Sequence, residues 1–131
     1  MESVTNYSFP ATERIKSKRL IEKIFSEGAS FVSYPFKVLY VPHPDPEQKA
    51  HQVAFSIPKK KIKRANKRNL VRRKAKEAYR LNKLNISPET LPNDQVYALF
   101  FIYLDQSPLN YKKIESSITK GFEKFKKKLD A

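Results

Sequence analysis

The chain has 131 residues, of which 40% are apolar, a formal net charge of +14 and Cys 0, which suits one modest core and excludes disulfides, thiolate nucleophiles and zinc-ribbon chemistry. No apolar run reaches the roughly 18 residues that a membrane span needs, and the first residues lack the apolar centre of a secretory signal, so a cytoplasmic protein is expected. The charge is unevenly placed: residues 59–80 hold twelve of the 27 Lys and Arg but, in Glu77, a single one of the 13 acids, a concentration that suits a polyanionic partner better than general solubility.

Residues 1–12, with Phe9-Pro10 and no period, read as an extended N-terminal arm from which Phe9 is free to dock on the domain. Between Ser17 and Gly28, Leu20, Ile21, Ile24 and Phe25 recur at helical spacing, with Ser17 as N-cap and Gly28 as the stop. Phe36–Val41 and Gln52–Pro58 are rich in β-branched and aromatic residues, and the Pro-rich stretch between them has turn chemistry. They read as an antiparallel pair, with one more short strand near Phe31. From Asn66 to Leu81 helical spacing takes over. Val71, Ala75 and Ala78 share an apolar side bordered by Leu70 and Leu81, while Arg68, Arg72, Lys76 and Arg80, with Asn69 and Arg73 beside them, form a basic stripe opposite.

A linker over Asn82–Asp94 precedes QVYALFFIYL, a strand buried on both faces. Ser107-Pro108 then supplies a cap and first-turn proline for a last helix, whose stripe is Tyr111, Ile114, Ile118, Phe122, Phe125 and Leu129. The order αββαβα predicts an α+β fold, an α/β sandwich with helices covering a small, mostly antiparallel sheet, in a single domain over 1–131.

A guanidinium stripe follows a phosphate backbone without reading bases. The competing reading, a solvated helix face, is the weaker here because such faces intersperse acids at i,i+4 and this one has only Glu77. Aromatic rings near a basic surface stack unpaired bases, and Phe31, Tyr34, Phe36, Phe55 and Tyr79 are candidates by position; core packing is the alternative for each. His43 and His51, with Asp45 and Glu47, make a poor metal set, and solvated loop histidines are the better reading. There is no Gly-rich phosphate loop and no carboxylate cluster for Mg²⁺. A complete active site on this polypeptide is not expected. The residues alone leave open a ribosomal or general RNA-binding protein and, less well supported, a DNA-reading helix.

With the helix placed, residues 59–80 resemble the signature region of the bacterial ribonuclease P protein component. Lys59 and Lys60 leave a strand after Ile57-Pro58, and Arg64-Ala65 precedes the helix. Arg68-Asn69 stands where that family has its Arg-Asn, Arg72-Arg73 matches its Lys-Arg, and Lys76-Glu77-Ala78 matches its Arg-Glu-Ala. Leu70 departs from the second Arg of the family's Arg-Asn-Arg, and Asn66 from a usually apolar position. Arg14-Ile15, Ile21, Phe25, Gly28 and Phe36 extend the match toward the N-terminus.

The resemblance implies an accessory subunit of an RNA-catalysed endoribonuclease that removes the 5′ leader of precursor tRNA, with Mg²⁺ bound by the RNA and no protein metal site. It implies two RNA surfaces and neither a membrane nor a small-molecule substrate. The first, toward the ribonuclease P RNA subunit, comprises Lys59, Lys60, Lys63, Arg64, Lys67, Arg68, Asn69, Arg72, Arg73, Lys76 and Arg80. The second, a cleft for the single-stranded leader, comprises Phe25, Tyr34, Phe36 and Ser56. Leu70 falls on the border of the apolar face, so Leu70→Arg is predicted to steepen the salt dependence of RNA binding by about one phosphate contact. Titrations across a salt series would check this; an unchanged slope would remove position 70 from the surface.

Overall fold

The segment with the least polar surface decides the architecture. In the computed structural model, which describes residues 8–130, strand β4 (Tyr97–Tyr103) is buried at every position except the half-buried Ile102. A strand that is apolar on both sides must lie inside a sheet with cover on both faces. Strands β1 (Ala29–Ser33), β2 (Phe36–Pro42) and β3 (Gln52–Ser56) arrange around it in the order β1-β2-β4-β3. β1 and β2 form an antiparallel hairpin, β2 runs antiparallel to β4, and β3 runs parallel to β4.

The expected antiparallel pair of 36–41 with 52–58 therefore does not form. β4 inserts between those two strands, because pairing them with each other would leave β4 at an edge with its apolar backbone uncovered. The short strand expected near Phe31 is β1, and the sheet is mostly antiparallel as predicted.

One face of the sheet carries helix α1 (Lys18–Glu27) and the other carries α2 (Ala65–Asn82) and α3 (Tyr111–Asp130). Ile15, Leu20 and Ile24 close over Leu39, Val41, Ala98 and Phe100 on the first face. On the second, Val71, Ala75, Ala78 and Tyr79 of α2 and Ile114, Ile118, Phe122 and Phe125 of α3 pack on Phe36, Val38, Phe55, Leu99 and Phe101. Phe125 alone stands 5.1 Å from the ring of Tyr40 and 5.2 Å from that of Tyr97. Truncating a ring so enclosed costs about 3–5 kcal/mol.

The helix ends show which local signals prevail. Ser17 Oγ accepts from Leu20 N at 3.1 Å, as a cap should. Gly28 ends α1 with φ −70°, so no left-handed turn requires glycine there. A Cβ would instead lie 2.3 Å from Ile24 O, and this close approach is what excludes a side chain. The Ser107-Pro108 cap is not used. Tyr103 Oη donates to Ser107 O at 2.7 Å and accepts from Leu109 N at 3.0 Å, which fixes those residues as a loop. Asn110 caps α3 instead, its Oδ1 accepting from Lys113 N at 2.9 Å.

Residues 1–7 of the expected arm lie outside the described residues. The rest of it is docked and partly helical: Ala11–Glu13 forms a 3₁₀ turn, Phe9 packs 5.5 Å from Tyr79, and Arg14 forms a parallel bridge with Val53 on the outer edge of β3. Glu13 pairs with Lys83 at 2.8 Å. The 82–94 linker contains two 3₁₀ turns, Lys83–Ile86 and Pro88–Thr90, and buries Ile86 and Leu91. At the other edge of the sheet, Ser33 and Ser117 each donate a hydroxyl to the other's carbonyl at 2.7 Å, and Lys124 Nζ donates to Val32 O.

His51 is not a solvated loop histidine. It is 4% exposed, donates from Nε2 to Ile86 O at 2.6 Å and accepts at Nδ1 from Tyr97 N at 2.9 Å. This arrangement holds the ring neutral in one tautomer, and burial lowers its pKa below the ordinary 6.5. Above pH 6.5 the ring is neutral in both folded and unfolded chains, so its contribution to stability is fully present. As pH falls below that value the unfolded chain takes up a proton that the folded one refuses, and stability declines by up to about 1.4 kcal/mol per pH unit. Urea unfolding between pH 7.5 and 5.5 should show this decline in the native chain and its loss in His51→Gln; equal slopes in both would refute the assignment.

Candidate nucleic-acid interface

The basic segment leaves the end of β3 and turns at once into α2. Pro58 O accepts from Lys61 N at 3.0 Å and Ile62 N at 3.1 Å, closing a turn whose anchor is the buried Ile62. The side chains of Lys59, Lys60, Lys63, Arg64 and Lys67 are exposed around this anchor. Arg64 stands at the N-cap of α2 and contributes no side-chain cap, and the first turn of the helix contains no acid. A positive helix end and a cluster of cations thus coincide, a combination that favours anions.

Along α2 the two predicted faces are present, but the basic residues differ in how free they are. Arg73 and Asn69 are exposed, and Arg72 is half-buried with its Nη1 donating to Asn69 Oδ1 at 2.8 Å. Arg68 is turned inward: its Nη1 donates to Ile62 O at 3.0 Å and Lys63 O at 2.6 Å. It pins the basic loop to the helix, a role that sequence spacing does not show. Arg80 pairs with Glu77 at 2.7 Å, and among the described residues ion pairing within 59–80 is confined to these two. That pair is solvent-facing. Lys74, on the flank, donates to Leu109 O at 3.1 Å.

Lys76 faces the N-terminal segment. Its pKa is lowered by burial first and then by the charges of Arg14 and Arg72. Arg14, Lys16, Arg72 and Lys76 line one depression with Phe9 and Val53. The sequence signal for Arg14 was its place ahead of α1; its meeting with α2 depends on the bridge to β3, which no local pattern encodes.

The predicted leader cleft is only partly assembled. Phe25 is 54% exposed and stands 5.2 Å from Phe100, edge to face, on the α1 side of the sheet. The register places Val32, Lys37, Ile102 and Ser56 in one row across all four strands. Ile102 and Ser56 are half-buried while Val32 and Lys37 are exposed, so an open strip of mixed polarity runs beside α1 with Phe25 at its margin.

Phe36 does not belong to this strip. One residue before Lys37, it points to the opposite face and is fully buried among Phe55, Phe101 and Tyr103. Phe31, Phe55 and Tyr79 are likewise core residues. Tyr34 is 61% exposed but sits at the turn between β1 and β2 against α3, apart from Phe25 and Ser56. His43 bonds to Gln52 Oε1 at 2.8 Å and accepts from Asp45 N at 3.1 Å, which accounts for its ring.

The fold is similar to solved structures of ribonuclease P proteins. That from Staphylococcus aureus superposes with a TM-score of 0.71 at 20% identity, covering 87% of this chain and 95% of that one. That from Thermotoga maritima gives 0.68 at 19% identity, covering 86% and 96%. In sequence, the chain is 33% identical over 123 residues to the ribonuclease P protein component of Porphyromonas gingivalis, spanning 92% of this chain and 88% of that protein. The family model described as Ribonuclease P matches residues 9–126, which include the basic loop, α2 and the strip beside α1. By this match along nearly its whole length, the chain belongs to the ribonuclease P protein component family.

Proposed function

We propose that this protein binds the RNA subunit of ribonuclease P through the basic loop and the exposed face of α2, and the single-stranded 5′ leader of precursor tRNA along the strip beside α1. The observation that carries this reading is the cluster of cations between Lys59 and Arg73, of which Lys59, Lys60, Lys63, Arg64, Lys67 and Arg73 are exposed, with no acid among them. Like charges at such spacing destabilise a free helix by a few tenths of a kcal/mol per pair, and a phosphate backbone offsets that cost. The aromatic edge of Phe25 and the polar Ser56 and Lys37 suit an unpaired strand, which offers base faces and phosphates together.

On this reading the polypeptide supplies binding and orientation. Mg²⁺ belongs with the RNA, because the proposed surface presents cations and repels a divalent ion. Bond cleavage is carried by the RNA with its metal, and the protein raises the affinity of that assembly for a substrate carrying a leader.

Reconstitution with a ribonuclease P RNA is expected to stimulate 5′ cleavage of precursor tRNA at low Mg²⁺. With the RNA present, precursor tRNA should bind more tightly than mature tRNA; equal affinity for the two would overturn the leader assignment. Engaging about six phosphates gives log K a slope of about −4 to −5 against log salt, and removing two contacts flattens it by about 1.4–1.8. Arg72→Gln with Arg73→Gln is the variant to measure, since Arg68 also holds the loop and its loss would mix two effects. An unchanged slope would show that α2 faces something other than RNA.

A further inference from the structure

An open groove of about 620 Å³ lies between the β1–β2 turn and the start of α3. Tyr34, Pro35 and Leu109 form its apolar wall, and Lys112, Lys113 and Lys120 line the other side. Tyr34 is 61% exposed, although burying such a ring would be favourable. Its ring is nevertheless fixed. The hydroxyl donates to Asp105 Oδ2 at 2.7 Å, and Asp105 Oδ1 accepts from Ser107 N and Ser107 Oγ, each at 2.8 Å. The acid in this groove is therefore already engaged, and the phenol is tethered by its tip with a face open to solvent.

Lys112 and Lys113 occupy the first turn of α3, which contains no acid. The helix dipole disfavours cations there, and a bound anion relieves both that repulsion and the lysines' mutual one. On the other side of residues 105–110, Lys60, Lys61, Lys63, Arg64 and Lys67 line a second groove together with Gln106 and Pro108. The two grooves thus flank one short loop. The cations of the proposed RNA surface lead around it to the tyrosine.

We infer that the RNA surface extends across the 105–110 loop into this groove, where an unpaired nucleotide stacks on Tyr34 and its flanking phosphates lie against Lys113 and Lys120. The inference rests on the RNA-binding reading above and adds a site on the α3 side of the sheet, the face opposite the strip beside α1. A base supplies the flat apolar partner that the ring lacks, and a tethered ring loses little freedom when it binds.

The test uses the full chain and a fluorescent oligouridylate of about ten nucleotides, within the usual span of single-strand sites. Tyr34→Leu is expected to weaken binding about tenfold, while Tyr34→Phe, which keeps the ring and loses the tether, retains most of it. Lys113→Gln with Lys120→Gln should flatten the salt slope by about 1.4. Photocrosslinking with 5-iodouridine should mark the peptide containing Tyr34. If Tyr34→Leu binds within about twofold of the native chain while Arg72→Gln with Arg73→Gln weakens binding, the groove inference falls and the RNA-binding reading stands. If neither variant changes affinity, both fall together.

Discussion

The fold follows from the need to cover both faces of β4. Its residues from Tyr97 to Phe101 are all buried, so it takes an interior position and requires a strand on each side. β2 reaches one side by antiparallel pairing. β3 reaches the other only in parallel, and a parallel neighbour requires the chain to travel back along the sheet before β4 can begin. α2 makes that return. The basic segment is therefore a structural crossover as well as a charged surface, and its position at the end of β3 is fixed by the same requirement that buries the core.

This double duty explains how so many cations are held on one helix. Val71, Ala75, Ala78 and Tyr79 anchor α2 in the core, and tertiary burial of that kind, more than intrinsic propensity, stabilises helices in proteins. Arg68 and Lys74 are partly removed from the repulsion by donating to the carbonyls of Ile62, Lys63 and Leu109. The remaining cations face outward, held by a scaffold that does not depend on them. A binding surface built on a rigid element in this way loses little entropy when its partner arrives.

Much of this was legible in the sequence, in proportion to how local each signal is. The two faces of α2, the Ser17 cap and the buried character of β4 all follow from spacing within a few residues. Pairing was not legible: a run such as FKVLYV declares a strand but not its neighbour, and the insertion of β4 between β2 and β3 links residues far apart in the chain. The side of Phe36 was hidden because both faces of β2 are largely apolar, so alternation carries no parity. The Ser107-Pro108 cap failed because Tyr103, on another element, claims that loop through its hydroxyl. Tyr34 was a stacking candidate with core packing as its alternative, but its surroundings come from Asp105 and α3, and the sequence offered no means of separating it from Phe25. Arg68 was recognised as part of the basic stripe; its inward bonds depend on a turn whose shape Pro58 and Ile62 set.

The two outer edges of the sheet are each engaged by the chain itself, one by the bridge of Arg14 to Val53 and the other by Lys124 at Val32 O. Unguarded edges are templates on which another chain can add a strand, and lysine is among the residues that blunt them. Strand addition, whether by a peptide partner or by a second copy heading toward aggregation, is thereby discouraged at both ends. What remains open to partners lies away from the strand edges, and contacts to phosphates and base faces need no free strand edge.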